Sequence, residues 1–224
     1  MDTQREALRD HFAERLFALE PSSLLDIGAG AGNLVRRARE RGLYAVGLEL
    51  EAPPVPPGPP VAWVRASAAH LPFESASFDW VSLRHVPHHL PDLGSALGEA
   101  WRVARAGLVI AEPWFDETCA DQRFALRADR WLKRMDRRSG RFHADVLSAD
   151  ALRAHLPGQP QGKVETYRPQ RPWSVADLEY EAQRATDGLT PDPEDQRELD
   201  SLLDVARRGR MTLNGTLILT IEKG

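Results

Sequence analysis

Residues 24–32 read Leu24-Leu25-Asp26-Ile27-Gly28-Ala29-Gly30-Ala31-Gly32, and this stretch decides the fold. A short apolar run closed by glycines is a buried strand running into a tight turn. Glycine accepts positive φ and lets a ligand come close to the backbone. Asn33 to Arg41 then has helical spacing, with Leu34 and Ala38 on one face and arginines on the other, and Gly42 ends it. A helix start offers N–H groups with no partner inside the helix. In an open parallel sheet the end of the first strand is the usual ligand crevice.

Working outward, the chain alternates helix and strand up to about residue 112, the pattern of a parallel sheet with helices on both faces. On the N-terminal side, Leu8, Phe12, Leu16 and Leu19 predict an amphipathic helix over 3–19, stopped by Pro21. On the other side, strands are predicted at Tyr44–Leu50, Val61–Ala66, Phe78–Arg84 and Leu108–Ala111, with a helix over Pro91–Ala106. Residues 53–60 read PPVPPGPP, which excludes helix and central strand, so this crossover is expected to be a polyproline-like loop. Beyond residue 112 the spacing predicts helices over 120–138, 148–156 (Ser148 as N-cap), 174–187 and 193–208. Strands are predicted at 164–167 and 211–221.

Composition narrows the classes of function. The chain has 224 residues, enough for one α/β domain with its own core, and 42% hydrophobic against 28% charged residues is ordinary for a globular protein. No apolar run reaches the ~18 residues of a membrane span, and the charged start MDTQREALRDHF lacks the apolar core of a secretory signal. A single cysteine, Cys119, excludes an internal disulfide and a cysteine-rich zinc site, and a cytoplasmic location is expected. A net charge of −4 argues against nucleic acid as the partner. Residues 121–141 run the other way, with eight basic residues against three acidic ones. That helix could bind phosphate or another anion, or be a solvated lid.

Two cofactor classes compete for the glycine loop. A dinucleotide site wants G-x-G-x-x-G, but residue 33 is Asn. Asp26, two residues before the first glycine, would repel a pyrophosphate and can hold a cationic amino group. Glu49, ending the second strand, could accept both hydroxyls of a ribose in either class.

The segment LLDIGAGAG resembles the first motif of the class I S-adenosylmethionine (SAM)-dependent methyltransferases. The likeness continues through VRASAAHLPFESASFDWVSLRHVPHHLPD (64–92) and ARAGLVIAEP (104–113), about half the chain. It is nearest the small-molecule branch that includes ubiquinone/menaquinone-biosynthesis methyltransferases. The resemblance implies a Rossmann-like seven-stranded sheet, mostly parallel and flanked by helices, in order 3-2-1-4-5-7-6. It implies one domain over 1–224, with 1–20 and 114–160 as lid elements. It implies transfer of a methyl group from SAM to a small-molecule acceptor, leaving S-adenosylhomocysteine, with no metal. The alternatives are a SAM-binding protein without transferase activity, and an RNA or protein methyltransferase using the arginine-rich helix.

Residue by residue, the resemblance carries Gly28, Gly30 and Gly32, with Ala29 between them, under the methionine and ribose parts of SAM. Asp26 helps hold the amino end, Glu49 the ribose hydroxyls, and Leu50 packs on adenine. Ser67 and Ala68 read the adenine edge, where Ser67 replaces the family's usual acid. Arg84 and His85 lie beneath the methyl donor. His85 is a candidate general base for a hydroxyl acceptor, and Glu112, ending the fifth strand, is its counterpart. His88 and His89 are expected to point apart, as neighbours on an extended chain do, and so not to share a metal. The acceptor atom (oxygen, nitrogen or carbon) and the oligomeric state are not legible.

Overall fold

The computed structural model describes residues 3–51, 62–168 and 171–224. The proline run 53–60 lies outside the described residues. The elements in chain order are α1 (Thr3–Phe17), β1 (Ser23–Ile27), α2 (Asn33–Glu40), β2 (Tyr44–Glu49), β3 (Ala62–Arg65) and β4 (Phe78–Arg84). There follow a single 3-10 turn at Pro87–His89, α3 (Leu93–Val103), β5 (Ala104–Trp114), α4 (Ala120–Arg138) and α5 (Ala149–Ala154). The chain closes with β6 (Lys163–Tyr167), α6 (Val175–Ala185), α7 (Pro193–Arg207) and β7 (Gly215–Glu222).

The seven strands form one sheet in the order β3-β2-β1-β4-β5-β7-β6, as the sequence resemblance implies. The pairs β1–β2, β1–β4, β2–β3 and β4–β5 are parallel. β1 is buried at every residue, which explains its unbroken apolar reading around Asp26.

The largest differences from the sequence reading lie at β5, which spans Ala104–Trp114 rather than 108–111, and at the start of the final strand. The helix predicted to run to Ala106 ends at Val103, and β5 starts at Ala104. Phe78 of β4 pairs with Ala104, so sheet pairing overrides the helical spacing of those alanines. The final strand begins at Gly215, not residue 211. A Cβ at 215 would stand 2.6 Å from the Tyr167 carbonyl oxygen, so glycine is required there.

The chain divides into two compact units. One comprises Arg9–Glu112, Leu147–Glu165 and Leu217–Gly224, and holds most of the sheet. Its core includes Phe12, Leu16, Leu24, Val35, Trp80 and Val109. The other comprises Met1–Leu8, Pro113–Val146 and Thr166–Thr216, and is mostly helical. Its core gathers Trp131 and Met135 of α4 with Leu178 of α6 and Leu202 of α7. Trp131 is fully buried and donates from Nε1 to the Asp195 carbonyl at 2.9 Å, so it anchors this core.

Candidate functional site

The site is built at the carboxyl ends of β1, β2 and β4. Gly28, Gly30 and Gly32 all adopt left-handed backbone, with φ of 67°, 57° and 70°. Gly28 N–H donates to the Leu48 carbonyl at 2.8 Å, and Gly32 N–H to Ala29 O at 2.9 Å. These bonds tie the loop to β2 and fix its curl. The three glycines are needed for different reasons. A Cβ on Gly28 would collide with Val86, whereas around Gly30 the space is open. The loop therefore turns a bare stretch of backbone outward at Gly30. Gly32 is the N-cap of α2 and supplies no side-chain cap, which leaves the first amides of that helix to other partners.

Asp26 is 4% exposed and accepts a hydrogen bond from Ser82 Oγ at 2.7 Å. Burial raises its pKa to about 6, against the opposing effects of the Ser82 bond and the Arg84 charge, and Glu49 adds to the rise. Arg84, ending β4, is itself held below the usual guanidinium range by burial. A carboxylate desolvated this way gains most from a cation, because that charge offsets what burial costs. Glu49 accepts from the Gly30 N–H through Oε1 in a short bond. A carboxylate has two oxygens and several lone pairs, so Oε2 keeps capacity for further donors. Leu50 is 66% exposed beside it, an apolar side chain with no burial of its own. Ala68 is buried and Ser67 exposed, with Ser67 Oγ accepting from Ala69 N–H at 3.2 Å. The structure thus gathers Asp26, Ala29, Glu49 and Arg84 around the glycine loop, with Leu50, Ser67 and Ala68 following the adjacent strand ends β2 and β3.

The second cluster sits past β4 and β5. His85 has φ of 56°, an uncommon conformation for a residue with a side chain, and its N–H donates to Ala111 O at 2.8 Å. Glu112 is fully buried and meets His88 Nδ1 at 2.6 Å. The sequence reading missed His88 as Glu112's partner. The signal was the proline at 87, which sets a 3-10 turn and carries His88 inward. The expectation that His88 and His89 point apart holds in burial, His88 being buried and His89 exposed, but not in separation. Both lie on the 3-10 turn, and their ring centroids are 4.2 Å apart.

In the helical unit Arg134 and Arg138 of α4, and Arg141 just beyond it, are spent on internal pairs. Arg134 binds Asp195 at 2.8 Å and Glu198 at 2.7 Å, Arg138 binds Asp192 at 3.2 Å and also Asp195, and Arg141 binds Asp136 at 2.7 Å. Acids of α7 and of α4 itself neutralise much of the basic excess.

Comparison with known proteins agrees with this geometry. Residues 25–111 match the family described as a methyltransferase domain. A demethylmenaquinone methyltransferase of Roseiflexus sp. strain RS-1 is 32% identical over 117 residues, 48% of this chain and 48% of that protein. A ubiquinone biosynthesis O-methyltransferase of Hahella chejuensis is 30% identical over 109 residues, 45% of this chain and 46% of that protein. The chain therefore spans just under half the length of these curated relatives. Phosphoethanolamine N-methyltransferase 2 of Haemonchus contortus, solved in complex with S-adenosyl-L-methionine, shares the fold with a TM-score of 0.56 at 14% identity, over 96% of this chain and 53% of that one. Residues 25–111 are thus similar to a methyltransferase domain, and the sheet that carries them has the fold of the solved methyltransferase.

Proposed function

We propose that the chain, acting as one methyltransferase domain, transfers the methyl group of SAM to a small-molecule acceptor by direct in-line displacement. The observation that carries this reading is the left-handed glycine loop, open at Gly30 and flanked by a buried acid, Asp26, and a strand-end acid, Glu49. Asp26 offers a negative charge to the ammonium of the methionine end, and Glu49 offers an oxygen to the ribose hydroxyls. Leu50 packs on the adenine, and Ser67 with Ala68 lines its edge. Arg84 and His85 lie beneath the methyl donor. The names of the curated relatives support a small-molecule acceptor.

The sulfonium methyl is already electrophilic when SAM is bound, so the chain's main task is to orient the two reactants. Orientation can supply roughly 7–11 kcal/mol of a barrier. An acceptor that must lose a proton needs a base as well, worth about 10²–10⁴-fold. His85 and Glu112 are the candidates, with Glu112 acting through His88, whose ring it holds by Nδ1.

Calorimetric titration with S-adenosylhomocysteine and, separately, NADH tests the reading. Micromolar S-adenosylhomocysteine binding with no NADH signal is the expected result. Binding of NADH alone would replace methyl transfer with hydride transfer.

A further inference from the structure

We infer that His88 and His89 form the protein half of a binding site for a divalent transition-metal ion, with Glu112 as the group that orients it. Three observations converge. First, a ring nitrogen of His88 and one of His89 lie within 4.8 Å of each other. Two nitrogens bound at about 2.0–2.1 Å to a tetrahedral ion stand roughly 3.3 Å apart. The separation is bounded at 4.8 Å, and His89 lies at the exposed side of the pair.

Second, Glu112 takes His88 Nδ1 at 2.6 Å from a fully buried position. That contact fixes the ring and turns Nε2 away from the carboxylate. A buried carboxylate on the far nitrogen is the usual support of a metal-ligating histidine, and it raises the basicity of the ligating atom.

Third, the backbone that carries both rings is pinned. His89 N–H donates to Val86 O at 2.8 Å, Leu90 N–H to Pro87 O at 3.1 Å, and His85 N–H to Ala111 O at 2.8 Å. Left-handed φ at His85 is a conformation that its surroundings must enforce.

Imidazole ligands suit zinc, copper, iron and nickel more than magnesium or calcium. Two protein nitrogens leave coordination positions for water or for an oxygen of a second molecule. If the methyl-transfer reading holds, an ion there would lower the pKa of a bound hydroxyl acceptor. The site itself stands or falls independently of that reading.

The test uses the full chain, tag-free and stripped of metal with a chelator. Co²⁺ is followed by visible absorption and Zn²⁺ by calorimetry. One saturable equivalent is expected for the wild type. H88Q and H89Q should each weaken Co²⁺ binding at least about tenfold, and E112Q about 10–100-fold, the usual effect of removing an orienting carboxylate. S-adenosylhomocysteine affinity, measured on the same samples, should be unchanged in H89Q. H89Q alters an exposed side chain, so it keeps the test valid even if H88Q fails to fold. Gln variants of His11, His70, His85, His143 and His155 serve as controls. A loss confined to His88, His89 and at most one further histidine supports the site. No saturable equivalent in the wild type overturns it. So does wild-type affinity in H89Q, or an equal small loss across every histidine. Co²⁺ binding without S-adenosylhomocysteine binding would keep the metal site and sink the methyl-transfer reading.

Discussion

The strand ends of the sheet unit and the α4–α7 ladder of the helical unit use charge in opposite ways. On α4 and just beyond its end, each of Arg134, Arg138 and Arg141 faces carboxylates at hydrogen-bond distance. These pairs are partly solvated, so each contributes little, but as a network they leave few charges unanswered. At the strand ends the charged groups are instead held at a cost. Asp26 is buried with a hydroxyl and a nearby guanidinium, and its pKa is raised to about 6. Three glycines and His85 sit in left-handed backbone. One region pairs its arginines with its own carboxylates, while the other holds a buried acid and left-handed backbone at a bare glycine loop. Strained backbone and a perturbed buried acid mark binding sites more reliably than charge density does.

That contrast can be broken or sharpened by four measurements. Trp131→Ala should cost about 3–5 kcal/mol in chemical denaturation, the usual loss for a buried aromatic. The surviving folded protein should bind S-adenosylhomocysteine as the wild type does. A tenfold loss of affinity would mean that the helical core is part of the cofactor site. Gly30→Val should do the reverse. It should leave the fold nearly intact, apart from a left-handed strain of roughly 1–2 kcal/mol, yet lower S-adenosylhomocysteine affinity below detection in calorimetry. Normal affinity in this variant would remove the glycine loop from the site.

Glu49→Ala should weaken S-adenosylhomocysteine by about 1.5–3 kcal/mol, the range for a hydrogen bond to a charged group. An unchanged dissociation constant would leave Glu49 with only its Gly30 contact. The smallest effect is a pH slope. Because the folded pKa of Asp26 is raised from 3.8 to about 6, the folded state holds its proton more tightly than the unfolded state. Its contribution to stability is therefore greatest below pH 3.8 and is lost as pH rises through 6. Asp26→Asn should flatten that slope, by roughly 1–3 kcal/mol across the window at 1.36 kcal/mol per pKa unit. In the wild type, S-adenosylhomocysteine affinity should fall as pH drops below 6, because the ammonium loses its charged partner. A pH-independent affinity would assign Asp26 to the turn rather than to the ligand.

The amino-acid order alone determined the strand–glycine–helix unit, the order of the seven strands through family resemblance, and the acids Asp26 and Glu49. These are local signals. An apolar run, a glycine with no tolerable substitute and an acid at a strand end lie within a few residues of each other, so neighbouring side chains write them directly. Only the tertiary structure decided the end of α3, because pairing of Ala104 with Phe78 outweighed the helical spacing of the alanines. It also decided that the arginines of α4 meet acids some sixty residues away on α7, which no local pattern encodes. The partnership of Glu112 with His88 was decided there too. It depends on a 3-10 turn that rotates one histidine inward and on a strand end that delivers a carboxylate from 24 residues further along the chain. Side-chain direction at a turn follows backbone dihedrals, and those are set by what the folded chain places around them.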